Sequence, residues 1–285
     1  MKDIAIPGTY NYIAAFLTLR CNYRCSYCIN YFGNGKLSGE SISGEEWVRA
    51  LNRIIPRNDL PITLQGGEPS LHKDFIYIIN NLKPELKLDM LTNIQFDVDK
   101  FVRSVKPERF KRESPYASIR VSFHPEVMRL DETFAKVLKM QDAGFSVGIW
   151  GVMYPVYKDI ILRAQDKARG MGIDFRTKEF LGDHDSSLFG TYKYEMAVNR
   201  KFKKKCLCKT TEFIIGPTGL AHRCHSDLYE GRESMESILD PEFQLEDVFR
   251  PCDRFGHCNP CDIKIKTNRF QEFGHTSVEI KDIQS

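Results

Sequence analysis

Several things are missing from this sequence, and each absence closes off a class of function. No apolar run approaches the roughly 20 residues that a membrane-spanning helix needs, and no apolar stretch of the kind that opens a secretion signal comes after Met1 to Gly8. The chain is therefore expected in the cytoplasm, without a membrane partner. Charge of one sign is not in excess either: 41 Lys and Arg stand against 38 Asp and Glu, and a net charge of +3 is too small to mark a nucleic-acid surface. Cysteine is absent from residue 29 to residue 205, so whatever sheet lies in that span carries no thiol. The nine cysteines sit instead in two groups, three before the gap and six between residues 206 and 261. In a reducing compartment such residues serve more often as metal ligands than as disulfides. With 42% hydrophobic and 28% charged residues, a 285-residue chain buries a sizeable core.

The first group is Cys21, Cys25 and Cys28, entered directly from Ile13-Ala14-Ala15-Phe16-Leu17, which reads as a short buried strand. The residues after that strand are polar and aromatic with no helical period, so the three thiols share a loop at the edge of a sheet. Three thiolates on one loop can reach one metal centre, but no fourth cysteine is near. Three ligands and an open position describe a catalytic site of zinc or of iron. A structural zinc knuckle would instead pair two short hooks far apart.

The rest of the front half alternates. Ser43 and Glu46 have the form of a capping box before Trp47, Leu51, Ile54 and Ile55, and Pro56 ends that helix. Pro61 to Gln65 is a second strand, running into Gly66-Gly67-Glu68-Pro69. Two glycines there let the backbone turn sharply against a ligand, and the neighbouring carboxylate can meet an ammonium. Helices are expected over 72–82, 97–105, 132–143 and 158–171, and strands over 86–92, 118–123, 145–152 and 173–178. Six strands separated by helices imply βαβ units in a parallel sheet, too few to close an eight-stranded barrel.

The spacing Cys21-x3-Cys25-x-Tyr27-Cys28 resembles the cluster loop of radical S-adenosylmethionine (radical SAM) enzymes, and Gly66-Gly67-Glu68-Pro69 resembles that family's GGEP motif. The resemblance implies an open (β/α)6 partial TIM barrel over residues 1–182. It also implies a [4Fe–4S] cluster on Cys21, Cys25 and Cys28, with S-adenosylmethionine chelated at its fourth iron. The GGEP residues and Tyr27 would then line the cofactor site. Sites in such barrels lie at the C-terminal rim of the strands, which brings Asn93 and Ser122 forward as cofactor contacts. His124, Arg176, Lys178 and Glu179 are substrate candidates; along a strand, alternate residues face opposite ways, so the last three are not all expected inward.

Beyond Gly182 the composition changes. Glu212–Ile215 and Leu220–Arg223 read as a hairpin closed by Gly216-Pro217-Thr218-Gly219, with Cys208 and Cys224 at its ends and Cys258-Asn259-Pro260-Cys261 as a later hook. Cys208, Gly219, Cys224, Cys258 and Cys261 resemble the twitch and SPASM extensions of radical SAM enzymes. That resemblance implies an auxiliary-cluster domain over residues 183–285, holding one [4Fe–4S] cluster on Cys208, Cys224, Cys258 and Cys261, with Cys206 and Cys252 spare or exchanging. The full two-cluster cysteine pattern is absent, and a zinc ribbon competes for the same residues. The block Arg200 to Lys205 reads as a solvated face.

These features lead us to expect an oxidoreductase that cleaves S-adenosylmethionine with an electron from an external reductant such as flavodoxin or ferredoxin. With little chain ahead of the first strand for a leader-binding segment, the expected substrate is a small, sugar-like or anionic molecule, dehydrogenated with the auxiliary cluster accepting an electron. Peptide or protein maturation and epimerisation are the alternatives within the class. A zinc-stabilised binding module is the alternative outside it.

Overall fold

The computed structural model describes residues 1–31, 40–57, 59–232, 236–266 and 274–283. Six parallel strands lie side by side in chain order: β1 (Tyr12–Thr18), β2 (Ile62–Gly66), β3 (Leu88–Thr92), β4 (Ile119–Phe123), β5 (Val147–Met153) and β6 (Phe175–Glu179). The returning helices are α1 (Gly44–Leu51), α2 (Phe75–Asn81), α3 (Val98–Ser104), α4 (Leu130–Asp142) and α5 (Lys158–Gly170). The capping box at α1 forms as expected: Glu46 N donates to Ser43 Oγ at 3.2 Å, and Ser43 N donates to Glu46 Oε2 at 2.8 Å. Such a cap is worth about 1 kcal/mol.

The register sorts the side chains. Ile13 pairs with Ile62, Ile62 with Leu88, Met90 with Ile119, Ile119 with Val147 and Ile149 with Phe175. These residues share one apolar core with Trp47, Ile78, Phe101, Phe134 and Ile161 of the helices. Each strand's alternate residues face the other way, and those include Tyr12, Gln65, Arg120, Ser122, Trp150 and Lys178. One face of the sheet is thus sealed by helices, and the opposite, polar face lines a cavity.

After β6 come a small hairpin, β7 (Gly182–His184) and β8 (Ser187–Phe189), and then β9 (Lys204–Thr210). The expected hairpin forms as β10 (Glu212–Ile215) and β11 (Ala221–His222), but its seat differs from the sequence reading. Strand β10 lies parallel to β1, Tyr12 opposite Glu212 and Ala15 opposite Ile215, so the barrel sheet runs β11-β10-β1-β2-β3-β4-β5-β6. The reason is burial: all four residues of β10 are buried, a condition a free two-stranded hairpin cannot meet. Two short helices, α6 (His225–Tyr229) and α7 (Pro260–Ile263), and a sheet in which β9 lies between β12 (Arg250–Phe255) and β13 (Val278–Lys281) complete the chain. Arg53 ties this later segment to the barrel by donating to the carbonyls of Lys2 (2.7 Å), Ile238 (2.8 Å), Asp240 (2.7 Å) and Pro241 (3.0 Å). Among the described residues no helix is long and apolar enough to cross a membrane.

Candidate active site and cysteine centres

A cavity of about 460 Å³ opens at the C-terminal ends of the strands. The loop after β1 supplies Cys21, Cys25 and Cys28 to its wall, all half-buried. Long-range contacts hold that loop in shape. Glu126, after β4, accepts from Ser26 N at 2.9 Å and Ser26 Oγ at 3.1 Å. The Tyr27 hydroxyl lies 3.1 Å from His124 Nδ1, and its ring stacks on Tyr154 with centroids 4.9 Å apart. Burial, followed by the negative neighbours Cys28 and Glu126, pushes the Cys25 thiol up to about 12. A bound cation reverses that balance and favours thiolate.

The glycines of Gly66-Gly67-Glu68-Pro69 serve close packing. A Cβ on Gly66 would come within 1.9 Å of the Thr18 carbonyl oxygen, and one on Gly67 within 2.3 Å of that of Arg20. That approach lets Gly67 N donate to Thr18 O (2.9 Å) and Glu68 N to Arg20 O (2.8 Å), which fixes the start of the cysteine loop against β2. Both glycines line the cavity, whereas Glu68 and Pro69 do not. Glu68, expected from the sequence to meet an ammonium, faces donors of the protein itself in this structure. The residue is 1% exposed, and its carboxylate accepts from Ser70 Oγ (2.6 Å), Ser70 N (3.2 Å), Thr92 Oγ1 (2.8 Å) and Asn93 N (2.6 Å). It acts as a clasp between the ends of β2 and β3, and Pro69 starts the short turn that brings Ser70 to it.

Asn93 stands where expected: it lines the cavity, and its Nδ2 donates to Asn22 Oδ1 of the cysteine loop at 2.7 Å. Ile94 beyond it has φ +55°, a strained value for a β-branched residue. Ser122 and His124 also line the cavity. Burial, then the charge of Lys178, lowers the His124 pKa to about 4, so its ring is neutral at pH 7. On β6, Lys178 and Glu179 reach the cavity while Arg176 does not; its Nε lies 3.0 Å from Asp174 and its guanidinium 5.8 Å from the Trp150 ring centroid. Both Lys178 and Glu179 reach it because the strand ends there, and Glu179 is drawn toward Lys264 Nζ at 3.4 Å.

Five of the six C-terminal cysteines line one or the other of two cavities. Cys206, Cys208 and Cys252, brought together across the β9–β12 pairing, have their sulfurs within 4.8 Å of one another, with 3.5 Å between Cys206 and Cys208. Cys208, Cys224, Cys252 and Cys258 line a second cavity of about 40 Å³ together with Arg223, Arg232, Arg250 and Arg254. Cys261 lines the main cavity. Hydrogen bonds from Cys206 and Cys208 hold the Cys252 thiol below the ordinary thiol range. Sulfurs this close suit a single tetrahedral ion, where bonds of about 2.3 Å set them roughly 3.8 Å apart, and the wider set of five is compatible with a cluster.

Two further groups carried no sequence signal beyond their place in the pattern. His225 lines the main cavity with its Nδ1 3.0 Å from Asp262 Oδ1, and Asp262 lines the second cavity, so this buried pair spans the partition between them. On the inner face of the barrel, Arg112 and Arg120 share the buried carboxylate of Asp89 (2.6 and 3.1 Å), with the Tyr116 ring against both guanidiniums. Polar residues at alternate positions of β3 and β4 were the only hint.

Residues 16–149, which hold the cysteine loop, the strands β2, β3 and β4 and parts of β1 and β5, match the Radical SAM superfamily. Those residues form a radical SAM domain. Among curated relatives, a GTP 3′,8-cyclase of Nautilia profundicola is 27% identical over 183 residues, covering 60% of this chain and 56% of that protein. A GTP 3′,8-cyclase of Campylobacter jejuni subsp. doylei is 31% identical over 141 residues, covering 48% and 41%. The chain thus spans about half the length of the curated relatives it matches. A solved structure described as native anSMEcpe with bound AdoMet and Kp18Cys peptide superposes with a TM-score of 0.55 at 12% identity, covering 84% of this chain and 78% of that one, a likeness of fold. The superfamily implies a [4Fe–4S] cluster and S-adenosylmethionine, and the donor set fits them. The three loop thiols face one cavity, yet their sulfurs do not all lie within 4.8 Å of one another, so they are spaced too widely for a single ion.

Proposed function

We propose that this radical SAM protein takes a hydrogen atom from a small polar substrate enclosed in the barrel cavity and leaves it oxidised. One observation carries the proposal: the three loop thiols, Gly66, Gly67, Asn93 and Ser122 all line a single cavity whose far wall comes from α6 and α7, beside the second cysteine group. When bound at Cys21, Cys25 and Cys28, a [4Fe–4S] cluster supplies the electron that splits S-adenosylmethionine into methionine and a 5′-deoxyadenosyl radical. This chain's own residues do the rest. The Glu68 clasp and the Asn93–Asn22 bond hold the loop, and the backbone of Gly66 and Gly67 can approach a cofactor closely. Tyr12, Phe16, Trp150 and Tyr229 give part of the cavity wall an aromatic surface. The C-terminal cysteine group is placed to house the electron acceptor that an oxidation needs. We place the protein in the cytoplasm, where nine thiols stay reduced and flavodoxin or ferredoxin is at hand.

A second reading, modification of a peptide, draws support from the solved structure that holds a peptide with AdoMet. The test is anaerobic reconstitution, then iron and sulfide analysis and incubation with S-adenosylmethionine and dithionite. Release of 5′-deoxyadenosine is expected. Zinc alone, with no visible absorption and no nucleoside released, sinks the enzyme and leaves a zinc-stabilised binding module.

A further inference from the structure

The segment from Lys193 to Lys205 is stitched to the C-terminal cysteine group. Cys258 N donates to Ala197 O at 2.9 Å, and the Arg200 guanidinium donates to the carbonyls of His257 and Cys258, each at 3.3 Å. Ala197 and Val198 are buried with Cys206 and Cys258 in one small apolar cluster. Asn199 fixes the turn between the two halves: its Oδ1 accepts from Lys201 N at 2.7 Å and from Phe202 N at 3.3 Å, and its Nδ2 donates to Met196 O. Gly256 packs so closely here that a Cβ on it would meet the Phe202 carbonyl oxygen at 1.9 Å.

The outer side of this turn combines apolar surface with positive charge. Met196 and Phe202, which flank Asn199, are 55% and 40% exposed. Residues 201 to 205 are exposed without exception, whereas Cys206 and Cys258 are buried beneath them. The segment holds six basic residues, Lys193, Arg200, Lys201, Lys203, Lys204 and Lys205, and one acid, Glu195. Lys204 is answered by Asp282 at 2.6 Å, and Asp253 is exposed on the neighbouring strand β12. Setting Glu195, Asp253 and Asp282 against the six leaves a surplus of three. Lys201, Lys203 and Lys205 have no carboxylate within ion-pair distance among the described residues. Five successive residues span about 14 Å at most, so these charges act on one partner.

An apolar centre inside a charged rim is the anatomy of a protein-binding surface. Electron-transfer encounters use the smallest specific interfaces, below about 1,200 Å² in total, which suits a patch of this extent. Surplus positive charge selects an acidic partner and speeds its approach. The oxidation proposed above removes a hydrogen atom from the substrate and then one further electron and a proton. The proton leaves to solvent, but the electron needs an acceptor that is renewed at every turnover. A surface stitched to the cysteine group gives such a carrier the shortest approach.

Resting on that oxidation, we propose that an acidic one-electron carrier, a flavin or iron–sulfur protein in its oxidised form, docks on Met196, Phe202, Lys201, Lys203 and Lys205 and leaves reduced by one electron. The test is calorimetric titration of the full chain, reconstituted without air, with an oxidised flavodoxin. Expected is a complex weakened about tenfold between 50 and 300 mM salt, the screening length being about 10 Å at 0.1 M. Lys201→Glu, Lys203→Glu and Lys205→Glu together should weaken it about tenfold or more at 50 mM salt and flatten its salt dependence. Lys73→Glu, Lys83→Glu and Lys100→Glu, an equal change of charge at exposed positions around α2 and α3, should leave it within about twofold of wild type. Phe202→Ser should weaken the complex without altering its salt dependence. Equal binding by the two triple variants, or a basic cytochrome c or single-stranded RNA held more tightly than the flavodoxin, overturns the proposal. Dithionite needs no docking, so the first triple variant should release 5′-deoxyadenosine with it at the wild-type rate, which a misfolded protein would not. No nucleoside from the wild-type protein sinks the radical reading, whereas nucleoside released without flavodoxin binding sinks only this one.

Discussion

Replacing Glu68 by Gln tests how the cysteine loop is held. The carboxylate receives four hydrogen bonds, two of them from backbone N–H groups, in a site 1% exposed to solvent. Burial pushes its pKa up, and the bonds from Asn93, Ser70 and Thr92 pull it back. A glutamine can keep its oxygen toward Ser70 and Thr92, but it then turns an NH2 group on Asn93 N–H, donor against donor. A charge-assisted bond worth about 1.5–3 kcal/mol is lost, and the amide's freedom from ionic desolvation offsets only part of it. We expect Glu68→Gln to lower stability by about 2 kcal/mol. Glu68→Ala, which strands several buried donors at about 1–3 kcal/mol each, should lower it by about 4 kcal/mol or more. The local consequence is sharper. Asn93 N–H is the clasp's hold on the strained Ile94, so its release lets that backbone relax and draws Asn93 Nδ2 away from Asn22. Urea unfolding of the anaerobic protein reads the first effect, and iron retained per chain after gel filtration reads the second. A Glu68→Gln protein within 0.5 kcal/mol of wild type and with full iron would refute the clasp.

Three other perturbations have definite expected outcomes. Gly67→Ala sets a Cβ against the backbone of Arg20, which cannot step aside, so a loss of about 3 kcal/mol and of loop iron is expected in the same two assays. Cys252→Ser should strip metal from the C-terminal group while Cys261→Ser leaves its metal content unchanged; elemental analysis of both variants decides, and equal losses would return Cys261 to that group. His124 titrates near 4 in the fold against about 6.5 when unfolded, so between those values only the unfolded chain takes the proton. Its contribution is complete above pH 6.5 and is lost as pH falls toward 4, by up to about 3 kcal/mol. His222, lowered to about 4 by burial and then by His225, adds a parallel loss. His124→Asn should therefore flatten the slope of stability against pH by about half between 6.5 and 4, and an unchanged slope would show that the ring is not buried neutral.

Much of the barrel was legible because its strands and helices alternate and their ends carry explicit signals, such as the Ser43–Glu46 box. The seat of β10 was not, since Phe213-Ile214-Ile215 announces burial without naming a partner, and the edge it covers lies about two hundred residues earlier. The cysteine loop was legible from spacing alone. The direction of Glu68 was not, because a four-residue motif does not say which neighbours its side chain finds. The Cys258–Cys261 hook straddles a helix start. Asn259 caps α7 by accepting from Cys261 N at 2.9 Å, so one cysteine precedes the helix and the other lies within it, and the two line different cavities. Arg120 and His225 came into view only when the sheet curved and the C-terminal segment closed over it.

The place of β1 in the middle of the sheet bears on how the chain matures. Its neighbour β2 leaves the ribosome within some fifty residues, but β10 emerges only about two hundred residues after β1. Until then one margin of an all-buried strand stays bare next to three reactive thiols, a state open to faulty pairing and oxidation. Metal insertion at that loop is accordingly expected to come after β10 has been made, and slow translation without oxygen protection should favour aggregates over holoprotein.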